Sequence, residues 1–149
     1  MKLLQAELFK KVYGVEAIHL GGGRKPDGIV FTDQYGIIID TKAYSDGYSK
    51  SISQADEMIR YIEDNKRRDT VRNTTEWWKD FNPNIADDQF YFMWISSKFV
   101  GRFQEQVDYT ANETETNGGA LNVEQLLLGA DAVMKGIIDV KDLPSLYEQ

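Results

Sequence analysis

Two short apolar runs separated by only two polar residues constrain the fold more than any other feature of this sequence. The runs are GIVFT (28–32) and YGIIIDTKAY (35–44), and Asp33 and Gln34 lie between them. Both are rich in β-branched and aromatic residues, which favour strands. Strands this close in sequence pair as antiparallel neighbours joined by a tight turn. The sequence therefore predicts a β-hairpin over these residues.

The register of that hairpin would bring two carboxylates together. If the turn has two residues, Thr32 faces Tyr35 and, counting outward, Asp27 faces Asp40. Directly opposed side chains have β-carbons about 4.5–5.5 Å apart, and like charges there are destabilising unless a cation lies between them. Lys42 follows Asp40 by two residues, so strand alternation places it on the same face. We expect these three charged side chains to converge.

Such a cluster suits metal-dependent hydrolysis of a phosphodiester bond. Asp27 and Asp40 would bind Mg²⁺, or Mn²⁺ in its place, and the backbone carbonyl of Thr41 is a further candidate ligand. Lys42 would orient the attacking water or help to deprotonate it. Glu7, on the first predicted helix, is a candidate ligand through water. From spacing alone, a surface salt bridge between Lys42 and one aspartate explains the pattern equally well.

The rest of the chain predicts helices around a sheet, in one mixed α/β domain spanning residues 1–149. QFYFMWIS (89–96) is apolar with little alternation, as expected of a strand buried on both faces in mid-sheet. GGAL (118–121) is a loop or a short strand. Apolar spacing and end signals predict helices over 2–13, 52–65 with Ser53 as cap, 102–111 and 122–136, and a short helix within 73–81.

Composition restricts the chemistry and the partners. There is no cysteine and only one histidine, which excludes thiolate and multi-histidine metal sites. The net charge of −7 argues against tight nucleic-acid binding by this chain alone, because phosphate binding depends on lysine and arginine. No apolar run has the roughly 20 residues of a membrane helix, and no signal-peptide pattern is present. We expect a soluble, cytoplasmic protein with no membrane partner.

A few other residues have two interpretations. Arg24 and Lys25, beside three glycines, are either contacts to DNA phosphates or part of a solvated turn. The three tryptophans could stack on bases, but their apolar surroundings favour core packing. His19 is interpreted as a surface residue or a hydrogen-bonded structural one, without a catalytic role.

Three segments together carry a resemblance to a known family. GGGRKPDGIVF (21–31), YGIIIDTKAYSDGYS (35–49) and ISQADEMIRYIEDN (52–65) resemble the cleavage domain of the FokI-type Type IIS restriction endonucleases. The resemblance extends from about Leu3 to Ala130. It implies a restriction-endonuclease-like α/β fold of the PD-(D/E)xK superfamily, with a central mixed β-sheet flanked by helices. Pro26, Asp27, Asp40 and Lys42 occupy the motif positions.

The resemblance also implies how such a domain works. Family members cut double-stranded DNA outside a sequence that a separate recognition domain reads, and no such domain is present in this chain. The cleavage domains pair transiently, so that each copy cuts one strand. An acidic cleavage domain is compatible with this scheme, because a linked or partner domain supplies a high effective concentration on DNA.

The dimer contacts implied by the resemblance lie on the helix predicted over 52–65. Asp56 and Arg60 would pair reciprocally across a two-fold axis, with Ile59 and Glu63 in the same interface. The alternative is an ordinary surface pair within one helix. Glu113 replaces an apolar contact of the family, so either a cation such as Arg72 meets it across the interface or the homodimer is weaker.

Two other functions remain open from the sequence. A nicking or repair-type nuclease would share the same catalytic residues. A catalytically silent dimerisation module would use the helix of Asp56 and Arg60 to join two DNA-binding proteins, but would have no need of opposed aspartates.

Overall fold

The computed structural model describes residues 3–21, 23–42, 52–96 and 103–136 together with positions 141 and 144. A five-stranded mixed sheet forms its centre. Its strands, in order across the sheet, are β1 (Glu16–His19), β2 (Gly28–Phe31), β3 (Gly36–Lys42), β4 (Phe90–Ser96) and β5 (Gly118–Asn122). β1, β2 and β3 pair antiparallel, whereas β3, β4 and β5 pair parallel. The expected sheet, with the apolar strand β4 in its interior, is confirmed.

Helices cover both faces of this sheet. The α-helices are α1 (Leu3–Leu8), α2 (Ile52–Arg67), α3 (Phe103–Thr114) and α4 (Val123–Met134). α1 continues as a π-helical turn over Phe9–Tyr13 and ends at Gly14, whose φ of 71° is the left-handed conformation that glycine adopts readily. A short 3₁₀ helix, Trp77–Asp80, follows α2. Within the described ranges, no helix is long and apolar enough to cross a bilayer.

The sheet separates two apolar cores. α1 and α4 cover one face, where the Tyr13 hydroxyl also donates to the Leu126 carbonyl at 2.6 Å. α2 and α3 cover the other face. All three tryptophans belong to the core on this side, and each is at most 5% exposed. The interpretation of the tryptophans as core residues is therefore confirmed, and His19 is exposed as expected.

The structure corrects two details of the sequence interpretation. α2 already begins at Ile52, so Ser53 lies in its first turn and is not its cap. β1 was not predicted at all, because its four residues include exposed Glu16 and His19 and show no continuous apolar run. Ala43 and Tyr44, the last residues of the predicted hairpin, and the segment 137–140 lie outside the described residues.

Candidate active site

The β2–β3 hairpin brings two aspartates together at one end of the sheet. Its ladder runs from Phe31 opposite Gly36 to Gly28 opposite Ile39. The next pair outward is Asp27 and Asp40, as the two-residue turn predicted. At the turn itself, the Thr32 amide donates to the Tyr35 carbonyl at 3.0 Å.

The two carboxyl groups are in contact and largely withdrawn from solvent. Asp40 is 3% exposed and is hydrogen-bonded to the half-buried Asp27. Asp27 Oδ2 also accepts from the Thr41 amide at 2.7 Å and from the Thr41 hydroxyl at 3.1 Å. Burial raises the pKa of the Asp27 carboxyl, but the hydrogen bonds from Asp40 and Thr41 outweigh burial and lower that pKa below 3.8. Opposed carboxyls repel one another when both are ionised, and a cation between them removes that repulsion.

This donor set fits a hard divalent cation that keeps several of its waters. Magnesium is commonly held by one or two carboxylates, with water and substrate phosphate completing its shell. Among the described residues, no group of three or more His, Cys, Asp or Glu side chains could hold a metal. Glu7 is exposed and pairs with Lys11 at 3.3 Å. Coordination by Glu7 through water, and by the Thr41 carbonyl, stays a prediction.

Lys42 is described by its backbone only. It occupies the last position of β3, two residues after Asp40, and pairs with the buried Ser96 of β4. Because β3 and β4 are parallel, their carboxyl ends lie at the same edge of the sheet. The backbone position agrees with the predicted cluster, and the catalytic role of Lys42 stays a prediction.

Tyr61 and Glu57 of α2 form a hydrogen-bonded pair within range of the charge of the two aspartates, and both were missed in the sequence. The Tyr61 hydroxyl donates to Glu57 Oε1 at 2.7 Å. Burial, this hydrogen bond, and the negative charges of Glu57, Asp40 and Asp27 all raise the pKa of Tyr61, so its phenol remains a neutral donor. The i, i+4 spacing of these residues, on the helix predicted over 52–65, was the signal available in the sequence.

The two basic residues of the loop before β2 differ in their exposure to solvent. Arg24 is exposed, and its guanidinium donates to the Arg72 carbonyl, whereas Lys25 is half-buried. Arg24 thus lies in an exposed turn, as the alternative interpretation expected, and its guanidinium is hydrogen-bonded within the chain. Gly22 lies outside the described residues, and DNA contact by Arg24 and Lys25 stays a prediction.

The outer surface of α2 carries the residues expected in a dimer. Asp56 and Arg60 are both exposed, and no ion pair joins them within the described part of the chain. Ile59 is half-buried, as is Glu63, whose Oε2 lies 3.9 Å from Arg67 Nε. The surface pair within one helix, which was the alternative interpretation, is therefore not formed.

Glu113, the acidic departure from the family pattern, is exposed on α3. Arg72, one candidate for its partner across the interface, forms an ion pair with Asp64 of its own chain at 3.3 Å.

Comparisons with known proteins agree with this geometry. Residues 3–149 match the family model of the FokI cleavage domain. The chain is 42% identical to the type II restriction enzyme FokI of Planomicrobium okeanokoites over 92% of its length, and 36% identical to StsI of Streptococcus sanguinis over 86%. It covers only 24% and 21% of these two relatives.

Solved structures of FokI also superpose closely. One structure of the restriction endonuclease FokI matches with a TM-score of 0.87 and 41% identity, covering 93% of this chain and 25% of FokI. The DNA-bound enzyme matches with a TM-score of 0.90 and 40% identity, covering 96% of this chain and 26% of FokI. The family match, the relatives and the fold together show that this chain belongs to the family of FokI cleavage domains.

Proposed function

We propose that this chain is an endonuclease domain that hydrolyses phosphodiester bonds of double-stranded DNA with Mg²⁺, for which Mn²⁺ can substitute. The observation that carries the proposal is the buried, hydrogen-bonded pair of Asp27 and Asp40 at the end of the β2–β3 hairpin. Membership of the FokI cleavage-domain family, and the DNA-bound structure of FokI itself, support DNA as the substrate.

The chain's own residues divide the chemistry between them. Asp27 and Asp40 would hold the cation, with Thr41 fixing the orientation of the Asp27 carboxylate through its amide and hydroxyl. The bound cation would supply stabilisation of the charge that develops on the phosphate. Lys42 would orient the attacking water or accept its proton. Water oxygen bonds to phosphorus, the bond to the 3′ oxygen breaks, and that oxygen takes a proton from solvent. The products are 5′-phosphate and 3′-hydroxyl ends.

Recognition and pairing are part of the same proposal. The chain would act in a cytoplasmic restriction system, with a separate DNA-recognition domain or subunit that holds it on its target. It would cut both strands as a transient homodimer. The exposed Asp56 and Arg60, which lack an ion pair within the described part of the chain, support reciprocal pairing through α2.

Plasmid cleavage tests this function. Wild-type protein at high concentration should nick and then linearise supercoiled DNA in Mg²⁺ or Mn²⁺, and chelation should stop the reaction. Asp40→Ala should abolish cleavage, and Lys42→Ala should slow it by about 10²-fold or more. His19→Ala, at an exposed position without an assigned role, is the matched control. Cleavage that survives both chelation and Asp40→Ala would refute the proposal.

The same reactions distinguish the alternatives. A transient dimer predicts that linearisation rises more steeply than in proportion to protein concentration. A nicking enzyme would stop at the open circle at every concentration. A silent module would leave DNA intact even when fused to a DNA-binding domain, and calorimetry would detect no binding of divalent metal.

A further inference from the structure

A buried asparagine connects the loop before β2 to α2. Asn73 is 2% exposed, and its Nδ2 donates to the Arg24 carbonyl at 2.9 Å and to Asp64 Oδ2 at 3.0 Å. Its Oδ1 accepts from the Thr75 amide at 3.1 Å and from the Thr75 hydroxyl at 2.7 Å. The side-chain oxygen of Asn73 therefore accepts hydrogen bonds within a local turn, and its side-chain nitrogen donates to residues outside that turn.

On the loop side, Asn73 holds a backbone conformation that is costly for its residue. Arg24 has a φ of 64°, in the left-handed region that costs a residue with a Cβ roughly 1–2 kcal/mol. Such conformations persist where the surroundings impose them. Here the Arg24 carbonyl is held by Asn73 and its guanidinium by the Arg72 carbonyl.

On the helix side, Asp64 ties the same turn to α2. Asp64 is 6% exposed, and its two oxygens face different partners. Asn73 donates to Oδ2, and Arg72 Nε lies 3.3 Å from Oδ1, in an ion pair without hydrogen-bond geometry. α2 packs on the sheet face that carries Ile29 and Ile38, which by strand alternation is also the face of the aspartate pair.

Around Arg24 the loop has little packing, whereas Pro26 is buried. A cavity of about 330 Å³ lies between the loop and α2, and its lining is mostly polar, including Arg24, Tyr61 and Asn73. Hydrogen bonds therefore hold the exposed Arg24 end of the segment. Only Lys25 and the conformationally restricted Pro26 separate Arg24 from Asp27, whose own carbonyl accepts from the Leu20 amide at 2.9 Å.

We propose that Asn73 is a positioning residue for Asp27: it holds the Arg24 backbone in place and thereby sets the carboxylate that binds the metal. This inference rests on the proposed function of Asp27 and Asp40. It assigns no contact between Asn73 and the metal or the DNA.

Metal affinity tests the positioning role separately from stability. Asn73→Ala should raise the Mg²⁺ concentration for half-maximal cleavage, and weaken calorimetric binding of Mn²⁺, by about tenfold or more, the usual effect of losing a residue that orients a metal ligand. The cleavage rate at saturating metal should fall less. Asn73→Ser, which can still begin the turn, serves if the alanine variant does not fold. Circular dichroism sets a temperature at which all variants are folded.

Asn65→Ala is the matched control. Asn65 is also a buried asparagine, at 4% exposure, but its side chain accepts from Arg68 and not from the loop. Its loss should lower thermal stability without changing the metal requirement.

The outcomes separate this inference from the proposed function. Unchanged metal affinity in the folded Asn73 variants, or an equal change in Asn65→Ala, would overturn the positioning role while cleavage by the wild type stands. If the wild type binds Mn²⁺ but cuts no DNA, the proposed function fails and the calorimetric comparison still decides the role of Asn73. If the wild type binds no metal, both are overturned.

Discussion

Replacing Asp40 by asparagine should make the metal-free protein more stable and at the same time inactive. The aspartate pair is costly without a cation, because two carboxyls in contact must either repel one another or retain a proton. An asparagine amide at position 40 would donate a hydrogen bond to Asp27, with neither charge repulsion nor a retained proton. The site would lose one of its two carboxylates, and with it the metal.

The size of the effect follows from the burial of the pair. At about 4 Å and an effective dielectric constant of about 20, two carboxylates repel by about 4 kcal/mol. Keeping one of them protonated at about pH 7, against an ordinary pKa near 3.9, costs a similar amount, about 4 kcal/mol. Asp27 is only half-buried, so solvent screening reduces this cost, as does the Lys42 ammonium predicted on the same face, and we expect a net gain of about 2 kcal/mol. In a protein of this size that corresponds to a rise in Tm of about 4–8 °C.

The pH dependence has a defined sign. The repulsion requires both carboxyls to be ionised, so the advantage of Asp40→Asn should grow as the pH rises above about 4–5. The lowered pKa of Asp27 by itself has the opposite effect on how stability depends on pH. Because its pKa is lowered from 3.8, its contribution is present above that value and is lost as the pH falls through the lowered pKa.

Thermal unfolding in a chelator, from about pH 5 to 8, measures this difference. Asp33→Asn, at an exposed turn position, removes the same charge and should change stability by less than about 0.5 kcal/mol. Added Mg²⁺ should then raise the Tm of the wild type, which binds it, and not that of Asp40→Asn. An Asp40→Asn protein that is no more stable than the wild type at about pH 8 in chelator would refute the reasoning.

Two further substitutions test the packing that supports the site. In Gly118→Ala, the new Cβ would lie 2.4 Å from the Phe92 carbonyl oxygen, so urea unfolding should show a loss of about 1–3 kcal/mol; a loss below about 0.5 kcal/mol would mean that β4 and β5 separate easily. Asn122→Ala removes the capping box of α4, in which Asn122 Oδ1 accepts from the Gln125 amide at 2.7 Å. It should cost about 1 kcal/mol in the same assay, and an unchanged urea midpoint would contradict the capping role.

The part of the site that could be predicted from the sequence depends on short-range rules. A turn of two residues leaves a single pairing for the strands, so the opposition of Asp27 and Asp40 follows from counting alone. α2 and α4 follow from apolar spacing in the same way, because each buries one face on the sheet.

The rest depends on contacts between residues distant in the chain. Asn73 and Arg24 are 49 positions apart, and nothing in either segment indicates that an amide of one will meet a carbonyl of the other. β1 was missed because a strand at the edge of a sheet needs only one apolar side, and its four residues are too few to show a pattern. Local periodicity therefore indicates the carboxylate pair but not the polar contacts that hold it.

The hairpin also limits how homologous chains can differ in length. A single residue lost from one strand would shift that strand by one position, turning one aspartate to the opposite face of the sheet. The loss of one residue from each strand would keep the aspartates opposed but turn both toward α1 and α4. Changes of two residues in both strands, changes within the turn, or changes beyond the aspartates leave the site intact. Natural variation in the length of the paired strands should therefore be confined to such even steps.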